Sequence, residues 1–232
     1  MTSGVQGQGA NRPAEGQSLP RSGIEIRTGP FFWGMLEEGW VYLLVDCSGS
    51  MVGDKLQQAK SGAMGFSKDA VDKGYSVGLI EFYGIANHLC EPTRDLALLQ
   101  RHVDGLEAKK ASKAQAFLGA FRRGIFGTNI AQAIRIAHEK LSERKGVKAL
   151  VVITDGQANG PGDPAASLEA GEKAKKDAID IITIGTDDAD QQFLKKLASR
   201  TELGIKVNRD QLEQTIISSA RWLSGGKPNS EV

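Results

Sequence analysis

Residues 41–50, VYLLVDCSGS, decide how the rest of the chain is read. The first six form a continuous apolar run closed by Asp46, the pattern of a strand buried on both faces. The chain then enters a polar turn in which Asp46, Ser48 and Ser50 alternate. In an extended loop that spacing points all three side chains the same way. Strands buried on both faces belong to parallel sheets covered by helices on each side, so the run predicts an α/β architecture.

The downstream sequence alternates accordingly. Leu56, Ala59, Ala63, Phe66 and Ala70 recur at helical spacing over 54–73, with Gly62 and Gly65 expected to let that helix approach the sheet. YSVGLIEF (75–82) reads as a second strand and ANHLCEPT (86–93) as a third. The link between them is too short for a parallel crossover, so they should pair antiparallel. Asp95 is placed to cap a helix carrying Leu98, Leu99, His102, Val103 and Leu106. A helix over 129–141, a buried strand KALVVIT (148–154), a helix over 164–178 and a strand DIITIG (180–185) follow. Phe193, Leu194, Leu197 and Ala198 mark a further helix, IKV (205–207) an edge strand, and 210–223 a final helix. The expected fold is a doubly wound, mainly parallel six-stranded sheet with one antiparallel edge strand and helices on both faces. Such sheets bind ligands beyond the C-terminal ends of their strands, where strand order reverses.

Composition sets the outer limits. The 232 residues hold 29 basic and 28 acidic side chains, a net charge of +1, which supplies no general drive toward nucleic acid or anionic membrane. Cys47 and Cys90 lie in apolar stretches outside any CxxC pair and read as small buried residues. The N-terminal stretch lacks the basic start and apolar run of a secretory signal, and no apolar run reaches membrane-spanning length. A cytoplasmic setting is the expectation. Residues 1–23 read as a flexible tail, 24–38 as an aromatic-rich arm, 39–223 as the folded domain and 224–232 as a C-terminal tail. The arm, with Phe31, Phe32, Trp33 and Met35 and continuing its aromatic character to Trp40, is expected to fold back over apolar surface, with a partner-binding segment as the alternative.

Three loop motifs can converge at one end of such a sheet: Asp46-Cys47-Ser48-Gly49-Ser50, Gly127-Thr128-Asn129, and Thr154-Asp155-Gly156. Asp46 and Asp155 bring carboxylate oxygens, while Ser48, Ser50 and Thr128 bring neutral hydroxyls. Such a set suits a hard cation: Mg²⁺, with Mn²⁺ as the alternative. Two carboxylates and three hydroxyls under-fill an octahedral ion, leaving a position open to an acidic group from a partner.

DxSGS after an apolar strand, GTN at a helix start and ITDG closing a later strand resemble the metal-ion-dependent adhesion site of von Willebrand factor type A (vWA) domains. The resemblance covers about residues 39–223. It implies that Ser48, Ser50 and Thr128 ligate the ion and that Asp46 and Asp155 do so directly or through water. It also implies the strand order 3-2-1-4-5-6, with Asp46 and Asp155 flanking the reversal. Stand-alone proteins of this look often serve multiprotein assemblies and resemble the vWA portions that work beside AAA+ ATPases, as in magnesium-chelatase-like and MoxR-linked systems, which makes such an ATPase a candidate partner by analogy.

Residues around the motifs have plainer expected roles. Asn129 should cap its helix, with orienting Thr128 as the alternative, and Asp187, Asp188 and Asp190 should form a loop and an N-cap, with rimming the site as the alternative. Gln157 and Asn159 should shape the rim. Glu81, inside an apolar strand, should be paired or at an edge. The segment 107–127 is longer than the family usually has, carries Lys109, Lys110, Lys113, Arg122 and Arg123, and fits either a lid or a solvated accessory helix. No GxSxG, HExxH, Walker A or GxGxxG pattern occurs, and His88, His102 and His138 lack metal-ligand spacing. The expectation is therefore a non-catalytic, cation-dependent protein-binding module. A metal-dependent hydrolase or phosphatase using Asp46 and a fragment of an extracellular adhesin are the alternatives.

Overall fold

Six strands in the order β3-β2-β1-β4-β5-β6 form one sheet in the computed structural model, which describes residues 38–109, 128–156 and 164–223. The strands are β1 (Gly39–Asp46), β2 (Tyr75–Phe82), β3 (Ala86–Thr93), β4 (Val147–Thr154), β5 (Ile179–Thr186) and β6 (Gly204–Val207). The helices are α1 (Asp54–Asp72), α2 (Leu96–Asp104), α3 (Ile130–Ser142), α4 (Pro164–Lys176), α5 (Gln191–Leu197) and α6 (Leu212–Ser219). Every pairing is parallel except β2 with β3. The antiparallel edge and the helices on both faces are those expected from the alternation of apolar runs, and the strand order is the one that the vWA resemblance implies. Among the described residues, no helix is long and apolar enough to cross a membrane.

Side-chain alternation sorts the core into two layers. Val41, Leu43 and Val45 of β1, Val77 and Leu79 of β2, and Val151 and Ile153 of β4 face α1, α2 and α6. Tyr42 and Leu44, Ile80 and Phe82, and Leu150 and Val152 face α3, α4 and α5. The period of two along each strand fixes this division, and a one-residue slip would exchange the layers. Burial on both faces is what makes 41–45 and 149–153 uniformly apolar in sequence.

Three details differ from the expectations. Gly62 and Gly65 approach the final helix rather than the sheet: a Cβ on Gly62 would stand 2.8 Å from Cβ of Ile216, and one on Gly65 2.5 Å from Cγ1 of Ile217. Each glycine precedes a sheet-facing residue by one position, a rotation of about 100° around the helix. The final helix is also shorter than 210–223, with α-helix only over Leu212–Ser219 and 3-10 turns at Arg209–Gln211 and Ala220–Trp222. Ser218 and Ser219 donate to the carbonyls of Thr215 and Ile216, which tightens its last turn. Trp40, counted with the aromatic segment, lies in β1, donates from Nε1 to the Lys145 carbonyl (2.7 Å) and carries the Arg144 guanidinium 4.7 Å over its ring.

The remainder of the arm, both tails, residues 110–127 with Arg122 and Arg123, and Gln157 and Asn159 lie outside the described residues.

Candidate functional site

Because β1 and β4 are neighbours while their crossovers run to opposite sides, the loops leaving their C-terminal ends open a crevice between them. Register carries the motifs to that point: Val45 pairs with Ile153, so Asp46 and Thr154 close adjacent strands. The Asp46–Ser50 loop is held from below. Cys47 N–H donates to the Phe82 carbonyl (2.7 Å), Lys109 N–H donates to the Cys47 carbonyl (2.8 Å), and Met51 is fully buried.

Four of the five expected residues are joined by short hydrogen bonds. Asp46 is fully buried, and Oδ1 accepts from Ser48 N–H (2.8 Å) while Oδ2 accepts from Thr154 Oγ1 (2.6 Å). Ser48 and Ser50 hydroxyls lie 2.9 Å apart, and Ser50 Oγ donates to Asp155 Oδ1 (2.7 Å). The fifth, Thr128, is buried against the Asp155–Gly156 turn; a Cβ on Gly156 would stand 4.0 Å from its Oγ1. Asn129 fixes that loop, since its N–H donates to the Tyr83 carbonyl (2.6 Å) and its Oδ1 accepts from Gln132 N–H (3.1 Å) as the α3 cap. Ser50 is exposed, so the cluster opens to solvent on that side.

The electrostatics follow from burial. Desolvation pushes the Asp46 carboxyl up to about 6, against hydrogen bonds from Thr154 and Ser48 that favour the charged form, while Asp155 adds repulsion. Burial pushes the Cys47 thiol up to about 12, so it stays protonated and presents no thiolate to a soft metal. The sign for Asp46 is fixed by linkage. The folded chain holds this proton up to about pH 6, whereas the unfolded chain loses it near 3.8. The folded state therefore binds more protons in that window, and the contribution to stability is full below it and lost as pH rises through it. In EDTA, wild-type stability relative to Asp46→Asn should fall by on the order of 2–3 kcal/mol between pH 4 and pH 7, read from denaturant midpoints. A difference that stays flat would show that Asp46 is not desolvated as described.

Sequence reasoning missed Lys55. Its ammonium donates to Asp155 Oδ2 and lies 3.1 Å from Asp187 Oδ2, and Asp187 in turn accepts from Arg209 at 2.6 Å. Burial alone would depress the Lys55 ammonium, but hydrogen bonds to Asp155 and Asp187 outweigh it and the net shift is upward. Arg209 holds the Asp187 carboxyl below its usual range. One signal was present: Lys55 sits in the first turn of α1, where the helix dipole disfavours a cation unless a carboxylate is near. Asp187 lies in the turn after β5 as expected, at φ 50°, a left-handed conformation that aspartate tolerates, and its carboxylate also pairs with Lys55 and Arg209. Asp190 does cap α5, accepting from Gln192 and Phe193 N–H. Glu81 is paired with Asn87 Nδ2 (3.0 Å) and faces Lys109 Nζ at 4.0 Å. His88 bonds to the Tyr42 hydroxyl (2.9 Å) and His138 to Asp177, so neither belongs to the cluster.

Comparisons with known proteins agree with the fold. The magnesium-chelatase 67 kDa subunit of Heliobacterium mobile is 29% identical over 140 residues, which are 60% of this chain and 19% of that protein. The chain thus spans about a fifth of that relative's length. The vWF domain of the type V pili tip protein Mfa5 from Porphyromonas gingivalis superposes with a TM-score of 0.67 at 15% identity, covering 84% of this chain and 98% of that one. Proximal thread matrix protein 1 from the mussel byssus, solved with a zinc-occupied MIDAS motif, gives 0.63 at 19% identity over 80% of this chain and 46% of that one. The family model for the von Willebrand factor type A domain matches residues 41–215, and the chain belongs to that family.

Proposed function

We propose that this chain is a non-catalytic protein-binding module that holds Mg²⁺ through Asp46, Ser48, Ser50, Thr128 and Asp155 and offers an open coordination position to an acidic side chain of a partner. The observation carrying this reading is the joining of two buried carboxylates and two serine hydroxyls at the strand-order reversal, with Thr128 beside them. The donor set fits the ion. All five side chains offer oxygen, the preference of Mg²⁺ and Mn²⁺, and the buried Cys47 thiol stays protonated. A bound divalent cation would supply positive charge to an incoming carboxylate. The chain's own residues supply the rest: Thr154 and Ser48 N–H orient Asp46, Ser50 orients Asp155, and Asn129 seats Thr128. Outer partners of this kind tune metal affinity by fixing ligand geometry.

Neither His88 nor His138 is placed to serve as a base at the cluster, which supports binding over hydrolysis. The similarity to a magnesium-chelatase subunit supports an assembly driven by an AAA+ ATPase as the setting in which the acidic partner is met. The test is calorimetric titration of Mg²⁺ and Mn²⁺ into wild type and Thr128→Ala, with a pull-down in the presence and absence of EDTA. Thr128→Ala should weaken the ion at least about tenfold, because even residues outside the coordination shell are worth about 10–100-fold. EDTA should release the captured partner. Equal affinity in both proteins, or release of phosphate from phosphoesters lost in Asp46→Asn, would overturn the reading.

A further inference from the structure

Both oxygens of Asp155 are already taken, one by the Ser50 hydroxyl and the other by the Lys55 ammonium. The Lys55 and Asp155 side chains are 12% and 1% exposed, so this ion pair is poorly screened by solvent. The same ammonium stands 3.1 Å from Asp187, outside the proposed ligand set, and Asp187 is kept charged and in place by Arg209 at 2.6 Å. Lys55 therefore sits between a carboxylate of the cluster and a carboxylate beside it. Its flexible stem lets the ammonium favour either without moving α1. An ammonium and a divalent cation repel when they share one carboxylate, and at Asp155, 1% exposed, that repulsion is weakly screened.

We propose that Lys55 is a tethered competitor for Asp155: it occupies the carboxylate in the metal-free protein and withdraws to Asp187 when a divalent cation is bound. Resting on the metal-binding reading above, this deepens it by assigning the control of affinity. The positive charge holds cation binding weak until a partner carboxylate adds its negative charge. Asp187 and Arg209 form the dock that receives the displaced ammonium. Lys55 and Asp187 are positioning residues in this scheme, acting on the cation through Asp155.

The test is calorimetric titration of Mn²⁺ alone into the full chain, comparing wild type with Lys55→Met, Lys55→Gln, Lys55→Arg, Asp187→Asn and the Lys55→Met/Asp187→Asn pair. The two neutral variants should bind Mn²⁺ at least about tenfold more tightly, and Lys55→Arg should stay within about threefold of wild type. Asp187→Asn should weaken Mn²⁺ in the wild-type background and do so less when Lys55 is methionine, because the dock then has nothing to receive. The rise in melting temperature on adding Mn²⁺ should be larger in the neutral variants, which a merely structural lysine would not produce. Unchanged or weakened binding in both neutral variants, or additive effects in the pair, overturns the proposal while leaving the metal site standing. Binding no tighter in wild type and Lys55→Met than in their Asp46→Asn counterparts overturns the site itself, and this inference with it.

Discussion

Asp46→Asn is expected to lower Mn²⁺ affinity by more than about 100-fold, since outer-shell partners alone are worth about 10–100-fold and this residue would be lost as a direct or water-bridged carboxylate ligand. The same variant should be more stable than wild type when metal is removed at pH 7.5, by on the order of 1–2 kcal/mol. The two effects have one cause. Asp46 is fully buried, and its desolvated charge is only partly compensated by Thr154 and the Ser48 N–H. Asparagine keeps the acceptor for Ser48 N–H and can donate to the Thr154 hydroxyl, so local geometry survives while the charge goes. Calorimetry with Mn²⁺ and urea melts in EDTA read the two halves separately. Loss of binding with loss of stability would mean that Asp46 holds the fold rather than stores an unfavourable charge for the ion. The opposite signs expected here mark a residue retained for function at a cost in stability.

Gly78→Ala is expected to destabilise the fold by about 3 kcal/mol, the upper end for overpacking a core, with metal affinity unchanged in whatever fraction remains folded. Gly78 pairs across the strands with Tyr42. A Cβ there would stand 2.3 Å from Cε1 and 2.6 Å from Cδ1 of the Tyr42 ring. The ring cannot easily swing aside: it is fully buried, and its hydroxyl is held by His88 at 2.9 Å and by Glu91 at 3.2 Å. Neighbouring strands would have to part, which a close-packed interior resists. Thermal unfolding should show a drop of roughly 6–12 °C for a domain of this size. Tyr42→Leu in the same chain should recover part of the loss, because the shorter side chain clears the added methyl. A Gly78→Ala protein as stable as wild type would mean that the ring has room that the packing denies.

What could be read from the sequence, and what could not, divides by the range of the interactions. The β1 run and its closing DxSGS are local patterns, and they alone placed Asp46, Ser48 and Ser50 at a strand end. Asp155 and Thr128 followed from equally local motifs, with their convergence supplied by the topology of a doubly wound sheet. The Lys55 to Asp155 pairing spans 100 residues and is carried by no motif, so the lysine read as one more polar helix position. Asp187 reads from sequence as a loop acid, because its pairing with Lys55 and Arg209 reaches across distant segments that no motif marks. Gly62 and Gly65 were recognised as a close-approach surface, but periodicity gives the angle between faces and not which neighbour each face meets. The serine hydroxyls that turn back on carbonyls at the end of the last helix express a local preference too weak to override an apolar repeat when read from sequence.

The N-terminal end of β1 is fastened where Val147 N–H donates to the Glu38 carbonyl (3.0 Å). At the other extremity of the described body, Lys73 at the far end of α1 donates to the Ala220 carbonyl (2.8 Å), just before Leu223. Both lie at the pole of the sheet opposite the Asp46–Asp155 crevice, because β1 and α6 run toward and away from that crevice respectively. The domain is thus wired like a socketed lamp, with both leads in the base. A tether attached directly to residue 38 or residue 223 would therefore start from the base, away from Asp46 and Asp155.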